Sequence, residues 1–574
     1  MKKSKGPEKS AQEEAASNEH FMKYILLDPE YSKEAEDTNP HTDKPHECTD
    51  EQDQAGQFFH DHEDINDLFD ISPQFAAKNK IETQSDDQPT VCKIFADTSS
   101  TQSYEGETVF DNLTQNVPRE PSPSIVSPGG DDPFSASIRA SEFDRRHDAW
   151  IASQETKKAL KTVAATTEGN FFPNREQLTN LGIVLEEDLV DPIRQLMTFH
   201  LGQESTARRV TLTANDVPQD LSGLKLLLEN KCYHAAVNLT GRLLVLLGQG
   251  VAKASPTKIT PQIIQIWFVR IALLVKLRQF AIAEVEAAPF STCDQPDLFY
   301  EFYPDIYGPR KGSMVPFAFR VLLSELRLHL GHFSEALDRL YSILTTVEEI
   351  LSNLKAGFRE DGTDLEMAEK DRKDSVMLWE ERKTKVSFSV LNCLLAMKDY
   401  NAAVTVGHSL VNDDPQCPHL KSLLGRIFLQ LGDVNGAKEN FNQAIKLMGS
   451  SRKDKTNELV NSGLIAVAQS EFENAYSKFK EAVELDPGNP LIINNMGVCL
   501  LYMGRLKDAL KILEGPIHQK PTQFLHEGIL FNVCTLYELE SSRSTERKQA
   551  MLNMVGTHCS DAFNATCLKL PLPT

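Results

Sequence analysis

His60 and His62 alternate with Asp61 and Glu63, donor types that bind zinc or a related cation when an ordered frame makes them converge. The frame is missing, because the surrounding stretch is polar, acidic and aperiodic, so no metal is expected there. Gly248-Gln249-Gly250 offers the glycines of a phosphate-cradling turn without the lysine or the helix start that must follow. No G-x-x-x-x-G-K-[ST] loop, H-E-x-x-H pair, G-x-S-x-G elbow or kinase set is present. The expectation is a protein that is not an enzyme and takes no cofactor. What is left is binding chemistry: Arg426, Asn461, Asn495 and Tyr502 are hydrogen-bonding side chains that could line a groove for an extended segment. Helix capping or solvation would use the same residues, and the sequence leaves both readings open.

The elements that must position those four residues follow a fixed period. Segments starting at 384, 418, 456 and 490 are 34, 38 and 34 residues apart, and the pattern of small and large residues within them resembles the two-helix tetratricopeptide repeat. The second segment gives Gly425, Phe428, Ala437, Phe441 and Ala444, and the third gives Leu459, Gly463, Ala475, Phe479, Ala482 and Pro487. The fourth gives Gly497, Ala509, Leu513 and Pro521. The repeat has a mechanical reason. Glycine in the first helix and alanine in the second let two backbones approach, and Phe441, Phe479 or Leu513 fills the space beside them. Pro487 and Pro521 then end the second helix. One pair cannot bury its apolar face, so pairs stack into a superhelix. Tetratricopeptide domains that grip an acidic C-terminus need lysines where this chain has Ser422 and Leu491, so that clamp is incomplete.

Charge separates the chain into parts. Residues 1–140 hold 29 Asp and Glu against 12 Lys and Arg, most of the net −22. That segment is rich in Ser, Thr, Gln and Pro without helical or strand period, the profile of a chain that cannot bury enough apolar area to order itself. The expected fold class is all-α, a tetratricopeptide-repeat superhelical solenoid preceded by a long disordered acidic tail. The expected organisation is a tail over 1–135, a helical connector over 136–219, divergent helical pairs with a charged insertion over 220–383, regular repeats over 384–523 and C-terminal capping helices over 524–574. Tyr233, Phe280 and Phe333 mark the second helices of the divergent pairs, with Trp267 in the large-residue slot of one first helix. A Lys/Arg-bearing helix is expected over 137–163, strand-like character over 210–220, and a loop then an amphipathic helix within 355–385. In the tail, Ser122 and Ser127 precede prolines and are candidate phosphorylation sites, and Asp132-Pro133-Phe134 matches a short tripeptide of coat-adaptor ligands.

The net negative chain has no basic stripe, so nucleic acid is not an expected ligand. Lys-rich residues 1–14 lack a following apolar run, and no stretch of eighteen apolar residues would insert in a membrane. The ten cysteines are scattered without a C-x-x-C pair, which is reduced, cytosolic usage.

Longer strings carry a closer resemblance. Asp144-Arg145-Arg146-His147-Asp148-Ala149-Trp150, Arg175 to Gly182, Val210 to Pro218, Tyr537 to Ser544 and Cys567-Leu568-Lys569-Leu570 are similar to the subunit 12 family of the transport protein particle (TRAPP) tethering complex, from about residue 140 to the end. The resemblance implies a non-catalytic scaffold in endoplasmic reticulum to Golgi transport and autophagy, bound to other TRAPP subunits and through them to a Rab GTPase. It also implies a cytoplasmic protein, peripheral at the endoplasmic reticulum–Golgi intermediate compartment. The competing expectation is a peptide-binding cochaperone, or a phosphorylation-switched kinetochore adaptor with a nuclear or mitotic pool.

Overall fold

A computed structural model describes residues 146–165, 178–185, 187–249, 258–541 and 543–571. The acidic segment with His60, His62, Ser122 and Ser127 lies outside them, as do Asp132-Pro133-Phe134, Gly250 and Arg175. Every named element among the described residues is a helix, and extended backbone pairs at one isolated bridge, Phe299 with Ser313.

Two turn features repeat along the chain. Lys231, Arg278, Gly331, Lys398, Gly432, Ser470 and Gly504 all have φ between 55° and 81°, and each lies two residues before a helix, at Tyr233, Phe280, Phe333, Tyr400, Val434, Phe472 and Leu506. At each turn the next N–H reaches back over the left-handed residue to a carbonyl five residues earlier, as in Glu471 to Ala466 and Arg505 to Leu500, both 2.8 Å. This is the Schellman closure, which ends one helix and aims the next. Seven helical hairpins follow from it, four of them turned without glycine.

The described residues fall into two compact units. One joins Asp191–Val210 to the chain from Leu394 onward. Its hairpins are Pro418–Gln430 with Val434–Leu447, Arg452–Ala468 with Phe472–Leu485, and Pro490–Tyr502 with Leu506–Gln519. Polar caps start the helices: the side chain of Asp433 accepts from Asn435 and Gly436, Ser451 from Asp454, and Asn489 from Leu491 and Ile492, meeting amides that a helix start leaves without partners. Helix Phe472–Leu485 stops before Pro487, and helix Leu506–Gln519 stops before Pro521, which opens the short helix Pro521–Phe524. Glu527–Glu540 and Ser544–His558 follow. Against them packs a segment from far upstream, the helix Pro192–Leu201, whose Ile193, Leu196 and Met197 share a core with Leu530, Val533, Leu552 and Val555. Arg209 fixes it in place, donating to Asp191 at 2.6 Å and to the carbonyls of Gly556 and Cys559 at 2.9 and 2.8 Å.

The other unit contains 146–190 and 211–393. Its core surrounds helix Pro261–Lys276, where Ile263 through Ile271 are all buried and Trp267 meets Phe290 edge-on. A buried ion pair crosses it: Arg270 binds Glu286 at 2.7 and 2.9 Å, with side chains 1% and 0% exposed. Arg270 also donates to the Val237 carbonyl, while Glu286 accepts the Val184 amide. Gly241 leaves the room, since a Cβ there would stand 3.2 Å from the Arg270 guanidinium.

Three local expectations are corrected. No strand forms over 210–220, where Thr213 and Asp216 close a tight turn instead. The helix expected over 137–163 is helical at 146–148 among the described residues, is interrupted over 149–153, and resumes as Gln154–Ala165. The helix after the insertion loop and the first helix of the repeat at 384 are one, Glu369–Ala396, because no glycine or proline interrupts those 28 residues.

Candidate partner-binding surface

Of the four candidate contact residues, three are buried. Arg426 is 9% exposed, Asn461 1% and Asn495 3%, and Tyr502 is half-buried and stacked on Phe472 with ring centroids 5.0 Å apart. All four project from the first helices of consecutive hairpins. Asn461 donates to the Ser422 hydroxyl of the preceding first helix at 3.2 Å, and Asn532 of helix Glu527–Glu540 donates to Asn494 of Pro490–Tyr502 at 2.6 Å. These amides hold neighbouring first helices in register. Ser422 and Leu491, at the lysine positions of an acidic-peptide clamp, are each 6% exposed.

The repeat-core residues occupy the positions their types suit. Ala437, Phe441, Ala475, Phe479 and Ala509 are at most 1% exposed. A Cβ added to Gly425 would lie 2.6 Å from Phe441, and one on Gly497 would lie 2.8 Å from Leu513.

A second polar constellation, in the other unit, has no counterpart among the sequence candidates. The strap at 146–153 is laced down by Arg146 to Asp374 at 3.2 Å, by Arg310 to Asp148, and by the Ser313 amide to the Asp148 carbonyl at 2.8 Å. Trp150 of the strap, Phe317 and Trp379 form an aromatic chain. Arg320 covers the Trp150 ring at 4.3 Å, and Arg382 covers Trp379 at 4.4 Å and Phe317 at 4.9 Å. Burial lowers the affinity of both guanidinium groups for their protons, Arg382 to about 10. Burial, with the positive charges of Arg382 and Arg146, holds the His147 imidazole down at about 4, so it is neutral near pH 7. The available signal was that two of the chain's three tryptophans flank strings rich in arginine.

No helix among the described residues is long and apolar enough to cross a membrane, and no group of three or more metal-ligating side chains converges there.

The hairpins, their close-packed glycines and their turn chemistry define a helical-repeat solenoid, and residues 419–447 and 466–525 match tetratricopeptide repeat families. These residues carry tetratricopeptide repeats. A mouse protein called Trafficking protein particle complex subunit 12 is 42% identical over 479 residues, covering 82% of this chain and 60% of that protein. Its human namesake is 43% identical over 461 residues, covering 79% and 63%. The chain is similar to these subunits and spans about three fifths of their length. The crystal structure of the APC/C hetero-tetramer Cut9-Hcn1 overlaps 65% of this chain and 83% of its own at 11% identity and a TM-score of 0.24, too slight a likeness to bear on function.

Proposed function

We propose that this protein is a non-catalytic scaffold subunit of a multisubunit vesicle-tethering complex, acting in endoplasmic reticulum to Golgi transport and autophagy. The single observation that carries the reading is the 42% identity to a named tethering-complex subunit over 82% of the chain. The stacked hairpins of one unit suit the role, because repeats of this kind offer an extended surface for the roughly 1,200–2,000 Å² of a stable interface. Its partners are other subunits of the complex and, through them, a Rab GTPase; its place is the cytoplasmic side of the intermediate compartment. Tyr502 is the proposed contact residue that already reaches the surface, while Arg426, Asn461 and Asn495 act by holding the shape of the face behind it. Affinity capture of the full chain followed by mass spectrometry tests the assignment. A stoichiometric set of tethering subunits is expected, and recovery of chaperones or kinetochore proteins in their place would overturn it.

A further inference from the structure

The bond from Asn532 Nδ2 to Asn494 Oδ1 at 2.6 Å leaves this pair of amides half joined. A carboxamide carries both donors and an acceptor, so two facing amides can close a ring in which each gives a proton and takes one. Here only one side of the ring is made. Asn494 Nδ2 and Asn532 Oδ1 are buried without a hydrogen bond, on residues that are 0% and 1% exposed. The imbalance holds for every assignment of the amide ends. Turning both over exchanges the roles and again leaves one donor and one acceptor, while turning over one sets nitrogen against nitrogen or oxygen against oxygen.

The neighbouring side chains do not fill the need. On helix Pro490–Tyr502, Leu491, Ile493 and Val498 are buried and apolar, as are Ile529, Val533 and Leu536 on helix Glu527–Glu540. The Thr535 hydroxyl is already committed, donating to the Phe531 carbonyl at 2.8 Å and accepting from Lys569. A polar group buried with no bond costs free energy, and the two atoms together define what would relieve it. The occupant must be small, because both residues are shut off from solvent. It must accept one proton and donate another. Ammonium only donates and chloride only accepts, and either would bring a charge into an apolar surrounding. Water does both and is neutral, and buried waters typically sit between polar groups of this kind. We propose that one water molecule is held between Asn494 Nδ2 and Asn532 Oδ1, completing the ring that the amides leave open. A direct ring would fix the two helices at one spacing. A ring completed by water lets that spacing change while both amides keep their partners.

Diffraction from crystals of the full chain should show a solvent peak about 2.7–3.2 Å from both atoms. Amides closed directly on each other, with no peak between them, would overturn the assignment. In solution, magnetic relaxation dispersion of the water oxygen counts molecules held for longer than the protein takes to tumble. The double variant Asn494→Leu with Asn532→Leu keeps the volume and removes both polar groups, so it should lose the amplitude of one water. An unchanged amplitude would refute the site. Unfolding would also release internal water, and Asn532→Ser separates the two causes. Serine keeps a hydroxyl and adds space, so this variant should hold or raise the amplitude, and a fall equal to that of the double variant would count against the proposal.

Discussion

Gly463 and Phe479 are packed so closely that a Cβ on the glycine would lie 2.6 Å from Cε1 of the ring. Alanine is the better helix former by about 1 kcal/mol, so two effects of opposite sign compete at this position. A contact that short demands movement of a ring buried on all sides, and overpacking of this kind costs about 1–3 kcal/mol. Gly463→Ala is therefore expected to lower the urea midpoint, and Gly497→Leu to lower it further. A rise in either would place the helices of these hairpins further apart than described.

Ser470 occupies with φ of 59° the turn position that Gly432 and Gly504 hold at 80° and 73°. A left-handed residue with a Cβ is strained by roughly 1–2 kcal/mol, partly offset because glycine frees the unfolded chain. Ser470→Gly should raise stability by about 0.5–1 kcal/mol, read from thermal unfolding. The same change at Ser462, on a helix interior, should lower it.

Removing one member of the Arg270–Glu286 pair strands the other in the core. Glu286→Ala is expected to destabilise by about 3–5 kcal/mol. The double variant Arg270→Met with Glu286→Leu should recover much of that loss, and a double-mutant cycle in denaturant measures the coupling.

His147 gives a pH dependence of definite sign. Its folded pKa of about 4 is below the ordinary 6.5, so between these values the unfolded chain binds a proton that the folded chain does not. Stability is expected to be unaffected by this group above about pH 6.5 and to fall as the pH drops toward 4, by on the order of 3 kcal/mol. Raised carboxyl groups at Asp297 and Glu301 change stability in the opposite direction. The difference between the unaltered chain and His147→Gln, unfolded in urea at several pH values, isolates the histidine.

Truncation at Pro521 removes Glu527–Glu540 and Ser544–His558 and uncovers Ile193, Leu196 and Met197 as well. That variant should fail to co-sediment with the tethering subunits proposed as its partners when expressed in cells lacking the native protein. Deletion of 2–135 should leave co-sedimentation intact, and the reverse pattern would remove the solenoid from the role of scaffold.

Much of the architecture was legible because hairpin packing is local. Gly463 and Phe479 are sixteen residues apart, within reach of a period read along the chain, and Tyr233, Phe280 and Phe333 each open a helix although only the third follows a glycine turn. What depended on distant contacts was not legible. Nothing near Arg209 signals that its acceptors are at Gly556 and Cys559, and Arg382 reads as one charge in a charged insertion until Trp379, Phe317 and the strap enclose it. Asn461 and Asn495 look like groove residues along the chain, and only the packing of neighbouring first helices shows both side chains buried, at 1% and 3% exposure.

The long reach of Arg209 has a kinetic price. Its acceptor at Gly556 is 347 residues downstream, and a ribosome adding about 5–20 residues per second needs roughly 17–70 s to cover that distance. Through that interval Ile193, Leu196 and Met197 have been synthesised while the helices that bury them have not. Hairpins that close over a few tens of residues can form as they emerge, but this apolar helix must wait for the end of the chain. Its burial therefore cannot precede synthesis of Gly556, and until then its apolar face has none of these partners.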